Sequence, residues 1–139
     1  MAILEHFSGV EVVVCTAGAA IEEYDAENDE VKHVNVVVSR HHQNVTVTKY
    51  IESTTGHEFS IKLSVKKSFK LDTTSLGFFV YIDGEYIGGR FMDRAHFSGD
   101  TWSSEIFGPA LKLGNAFLVR TMKFAQIQTS RPLHTPIIA

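Results

Sequence analysis

Cysteine, proline and tryptophan are all scarce in this chain: the 139 residues hold one Cys, three Pro and one Trp. A single thiol cannot close an internal disulfide, so a disulfide-stapled scaffold is excluded. Cys15 ends the apolar run that starts at Val10 and reads as a small buried hydrophobe. The sequence places neither a cation nor a helix N-terminus beside it, as a reactive thiolate would need. No apolar stretch reaches membrane-spanning length, and the segment from Met1 to His6 lacks the basic patch and apolar core of a leader. Positive charge is also sparse, with 13 Lys and Arg against 16 Asp and Glu and a formal net charge of -3. A duplex-binding protein carries a basic stripe, and none is visible. The cluster Lys62, Lys66, Lys67 and Lys70 reads instead as the wet side of a strand and its loop. These absences predict a cytoplasmic protein with no membrane or nucleic-acid partner.

What the chain does have is alternation. From Glu58 to Lys66, Phe59, Ile61, Leu63 and Val65 fall on one side and Glu58, Ser60, Lys62, Ser64 and Lys66 on the other. Successive side chains of a strand point to opposite faces, so this is a strand with one covered and one solvated face, the mark of an antiparallel sheet. Further strands are expected at 10–15, 21–24, 34–39, 45–52, 76–83, 86–91, 103–107 and 117–128, the last interrupted by a bulge. Helix is expected only as one turn near Asp93 to Phe97.

Turn signals lie between these runs. Asp83-Gly84 is the sharpest, because a two-residue hairpin turn needs positive φ at both central positions, which Asp and Gly tolerate. Thr55-Gly56-His57 marks another reversal, and Gly88-Gly89 inside a strand pattern marks a bulge or a close backbone approach. The expected fold is all-β, a single antiparallel, jelly-roll-like β-sandwich of about nine short strands with almost no helix. One domain covers 1–139, with 129–139 an irregular Pro-containing tail able to dock on a second subunit. The expected core is Val12, Val14, Val36, Val38, Val47, Phe59, Ile61, Leu63, Phe78, Val80 and Ile82.

The segments Val45-Thr46-Val47-Thr48-Lys49-Tyr50-Ile51-Glu52, then Gly56-His57-Glu58-Phe59-Ser60-Ile61, then Phe79-Val80-Tyr81-Ile82-Asp83-Gly84 follow one another along the chain. Their order resembles a family of uncharacterised β-rich domains found mainly in fungi. The opening strand from Gly9 to Val14, the pair Glu23-Tyr24 and the closing Phe124 to Ile127 are similar as well. The resemblance spans 9–128 and implies a β domain with no assigned reaction, so it transfers no catalytic residue.

Chemistry-bearing constellations are weak. Histidines stand at 6, 33, 41, 42, 57, 96 and 134, without the tight pairing of zinc ligands. His41 and His42 are adjacent and would point to opposite faces of a strand, so 40–44 reads as a polar hairpin loop. No nucleophile elbow and no Gly-rich phosphate loop occurs, and Glu52 and Glu58 read as solvated carboxylates flanking a turn. No catalytic residue, metal ligand or cofactor is expected.

The aromatics point to binding. Phe78-Phe79-Val80-Tyr81 puts large groups on both faces of one strand, which calls for cover on both sides, from a loop or a second subunit. A loop carrying Trp102 beside Asp100, with His96 upstream, suits a sugar: an indole stacks on C–H faces while a carboxylate accepts hydroxyl hydrogens. The expected function is therefore a non-enzymatic interaction domain that self-associates, by default as a dimer. The alternative is a cytosolic lectin of fungal type, binding carbohydrate through Trp102, Asp100 and His96.

Overall fold

The computed structural model describes residues 8–25, 47–70, 72–97 and 99–126. The expected strand at 34–39, the histidines at 6, 33, 41, 42 and 134, Val36, Val38 and the tail 129–139 all lie outside them. The described chain is all-β, with no α-helix and one short 3-10 turn, Arg94–His96, where a single turn was expected.

Eleven strands follow in order among the described residues: β1 Val10–Thr16, β2 Ala19–Ala20, β3 Glu23–Asp25, β4 Lys49–Ile51, β5 Glu58–Lys66, β6 Ser75–Ile82, β7 Glu85–Asp93, β8 Thr101–Ile106, β9 Ala110–Leu113, β10 Ala116–Val119 and β11 Met122–Lys123. Every pairing is antiparallel. They form one five-stranded sheet and three two-stranded ribbons, β3–β4, β6–β7 and β9–β10.

β5, the strand with the clearest alternation, is the centre of the sheet. Along one edge Val10 to Cys15 of β1 pair with Val65 to Ser60. Along the other, β8 pairs Ile106 with Ile61 through Thr101 with Lys66, and β11 pairs Met122 with Phe59 and Lys123 with Glu58. β8 and β11 thus lie one after the other on the same side of β5. The β9–β10 hairpin is the chain that joins them.

The core forms on the apolar side of β5. Ile61, Leu63, Val80, Ile106 and Met122 make a buried cluster, with Val12, Phe59, Phe78, Ile82, Ile87 and Trp102 packed against it. Leu63, Val65, Met92 and Ile106 are the largest fully buried side chains. The inner face of the β6–β7 ribbon therefore covers the sheet, which is how a greasy sheet face escapes water. Met92, Ile106 and Met122 were not expected in the core, and Val12, Val14, Val47, Phe59, Phe78 and Ile82 are only half-buried.

The Asp83-Gly84 hairpin is as read from sequence, with φ of 50° at Asp83 and 81° at Gly84. The register of β6–β7 shifts between Val80 and Tyr81, opposite Gly88, so the double glycine does mark a bulge. Several boundaries differ from expectation. Of the strand expected at 21–24 only Glu23 and Tyr24 are strand, in β3, and of the one expected at 45–52, whose first two residues lie outside the described ones, only Lys49–Ile51 is strand. Trp102 lies inside a strand, not a loop, because Thr101 to Ile106 pair along the edge of β5. The described part, 117–126, of the strand expected at 117–128 is half a hairpin plus a short closing strand, since Gly114 turns the chain back on itself at φ 61°.

Candidate interaction surface

The residues read from sequence as a ligand site occupy the start of β8. Trp102 pairs with Val65 and is half-buried against the core. Its ring lies nearly parallel to Phe78, 5.7 Å between centroids and 9° between planes, so one indole face is already occupied. Asp100 is exposed, and its carbonyl accepts the Lys67 N–H at 2.8 Å. His96 is the last residue of the 3-10 turn. Asp100 and Trp102 flank Thr101 along the chain.

Two exposed apolar surfaces are larger. The first is the outer face of the β6–β7 ribbon. Phe79, Tyr81, Tyr86 and Phe91 are 58%, 61%, 56% and 69% exposed. Register puts them together: Gly77 faces Phe91, Phe79 faces Gly89 and Tyr81 faces Tyr86. Phe79 and Phe91 meet edge to face at 5.7 Å, and Tyr81 and Tyr86 are tilted at 5.5 Å. The glycines bring the rings down onto the backbone. A Cβ on Gly77 would lie 3.0 Å from the Phe91 ring and 3.3 Å from that of Phe79, and one on Gly89 would lie 2.9 Å from the Tyr86 hydroxyl. The sequence signal for this surface was the Gly/aromatic exchange across the Asp83-Gly84 turn, legible once the hairpin is folded at that point.

The second is the β9–β10 hairpin. Leu111, Leu113, Phe117, Leu118 and Val119 are 46%, 61%, 73%, 54% and 48% exposed. Leu111 pairs with Leu118 and Leu113 with Ala116, forming one side; Phe117 with Lys112 and Val119 with Ala110 form the other. The hairpin is therefore apolar on both faces. Its stem is fastened by Met122 N–H to the Phe107 carbonyl at 3.0 Å and Arg120 N–H to the Pro109 carbonyl at 3.1 Å. Beside the stem lies a cavity of about 510 Å³. Phe59, Ile82, Ile87 and Met122 give it an apolar lining, and Asp83, Glu85, Arg120 and Lys123 a charged rim.

The family comparison can be set beside this geometry. The family described as a domain of unknown function (DUF7918) matches residues 9–136, nearly the whole chain. The chain belongs to that family. Its description assigns no reaction and no ligand. No curated protein and no solved structure matches the chain.

Several polar groups of the sheet have structural surroundings. Cys15 is a free, buried thiol whose pKa is raised, first by burial and then by the charge of Glu105, with Lys62 pulling the other way. Ser60, across from Cys15 on β5, donates to Glu105. Glu58, read as half of a carboxylate pair, accepts from Thr121 at 3.3 Å and lies 3.5 Å from Lys123. Lys66 pairs with Glu11 at 2.6 Å, so part of the basic cluster is neutralised. Among the described residues no group of three or more His, Cys, Asp or Glu is placed to hold a metal, and no helix is long and apolar enough to cross a membrane.

Proposed function

We propose that the domain is a non-enzymatic interaction module that self-associates through the β9–β10 hairpin, and that the five-stranded sheet and the β6–β7 ribbon are the two layers of a single sandwich. The observation that carries the function is the hairpin's apolarity on both faces. A contiguous exposed apolar patch marks an interaction site, and an open edge of apolar strands is otherwise an aggregation hazard. An element apolar on both faces suits a cleft that encloses it better than a flat surface.

The cavity beside the stem is such a cleft in a second copy. Its apolar lining matches the Leu and Phe side chains of the hairpin, and the Asp83 and Glu85 carboxylates match Lys112, which stands between Leu111 and Leu113. A two-fold axis makes the exchange reciprocal, each hairpin seating in the other's cleft. Around the rim Asp83 and Glu85 stand beside Arg120 and Lys123, a mixed charge that suits a protein occupant better than an anionic lipid surface.

Sedimentation velocity across the micromolar range tests the reading. The wild type is expected to be a dimer, and Leu113→Asp or Phe117→Asp a folded monomer. Lys112→Glu weakens the dimer, and adding Glu85→Lys restores part of it. A wild type that stays monomeric throughout removes self-association, and a dimer indifferent to both hairpin variants moves it elsewhere.

A further inference from the structure

The outer face of β6–β7 has a different chemistry from the hairpin. It is aromatic where the hairpin is mainly aliphatic, and it carries two phenol hydroxyls, on Tyr81 and Tyr86. Four adjoining rings more than half exposed exceed what scattered surface apolars require. Rings that merely shield a strand glycine from water need not cluster, but here Phe79 and Phe91 share the space over Gly77, and Tyr86 reaches over Gly89. A missing side chain at both glycines lets the rings lie close to the ribbon and makes a low, broad platform instead of separate upright rings.

We propose that this platform is a carbohydrate-binding site for a neutral glycan chain. Sugars present flat patches of C–H bonds that stack on aromatic rings, and their hydroxyls exchange hydrogen bonds with phenols. The platform residues Gly77, Phe79, Tyr81, Tyr86, Gly89 and Phe91 include no ionised side chain, and the next pair along that face, Ser75 with Asp93, adds a carboxylate that disfavours an anion, which matches a neutral ligand. A nucleic-acid strand would also stack on aromatics, but it needs a cationic groove along its backbone, and the chain carries a net charge of -3. Trp102 offers a sugar less, because Phe78 covers one of its faces and the core takes part of the rest. The glycan site is thus one layer out from the tryptophan and separate from the hairpin.

The test is a panel of neutral hexasaccharides of glucan, chitin, mannan and xylan type, read by calorimetry and by Tyr and Trp fluorescence. At least one type is expected to bind the wild type. Phe91→Ala then weakens it by about tenfold or more through the loss of one stacking ring. Tyr86→Phe keeps the ring and weakens binding less, while Phe117→Asp in the hairpin leaves it unchanged. All three positions are more than half exposed, so melting temperatures should stay near that of the wild type. No binding by any hexasaccharide overturns the proposal. So does binding that survives Phe91→Ala but is lost in Trp102→Phe. Loss of dimerisation in Phe91→Ala, with no sugar bound, makes the platform a subunit interface instead.

Discussion

A Cβ placed on Gly108 would run into the carbonyl oxygen of Arg120, and the glycine holds φ at 155°. The two strands of the hairpin stem approach so closely here that only hydrogen fits. Gly108→Ala is therefore expected to push the stem apart while leaving the core intact. The expected readout is faster amide exchange at Arg120 and Met122, whose N–H groups close the stem, with slow exchange preserved in β1 and β5. Uniformly faster exchange over the whole domain would contradict a local role.

Leu63 and Leu118 give a matched pair of truncations. Leu63 is 1% exposed at the centre of β5, and Leu118 is 54% exposed on the hairpin. Leu63→Ala is expected to cost about 2–5 kcal/mol, as buried leucines do, measured by denaturant unfolding. Leu118→Ala in the monomer should stay within about 0.5 kcal/mol. Equal losses would mean that the hairpin is packed in the free chain.

Trp102 divides its surface among Phe78, the core cluster and solvent. Its fluorescence should be only partly accessible to an aqueous quencher. Trp102→Ala should lower stability by less than the about 3–5 kcal/mol of a fully buried tryptophan. A fully quenchable indole together with an unchanged melting temperature would mean that the stacking on Phe78 does not persist in solution.

Asp25 and Lys49 form the ion pair of the β3–β4 ribbon, and the Lys49 hydrogen bond and charge hold the Asp25 carboxyl below its usual value. A carboxyl whose folded pKa lies below its unfolded one stabilises the fold above the unfolded pKa. That contribution disappears as pH falls through the folded value. The window lies below the ordinary aspartate value of about 3.9. The pair is exposed, so the effect is small and fades with added salt. Asp25→Asn should flatten this part of the pH profile; an unchanged profile would assign it to other carboxyls.

Cys15 is buried and its thiol pKa is raised. A thiol reagent near neutral pH should label the folded protein slowly and the denatured protein at the rate of a free cysteine. Rapid labelling under native conditions would show that β1 opens readily.

Much of the fold was legible because β5 alternates over its full length and Asp83-Gly84 is an unambiguous hairpin turn. Those two segments placed Ile61, Leu63 and Val80 in the core correctly. Ile106 and Met122 were missed because their burial comes from long-range pairing with β5 and neither short segment around them has a strong local period, and Met92 because the strand read at 86–91 stops one residue short of it. β9 was missed and β10 was merged with β11 into one long strand, because both faces of the hairpin are apolar and period-two alternation vanishes where it would have been read. Trp102 drew attention as the lone indole, while the rings of Tyr86 and Phe91 join Phe79 and Tyr81 only after the register of β6–β7 is known.

The shared side of β5 has one more consequence. β8 and β11 form one edge from two stretches of chain, and everything from Phe107 to Thr121 departs and returns at a single gap in that edge. The sheet neither measures nor constrains what fills the detour. Within a family built on this plan, the insert can lengthen, shorten or change its side chains without altering any strand register. The framework is in this sense a mount, and the part fitted to it is free to vary.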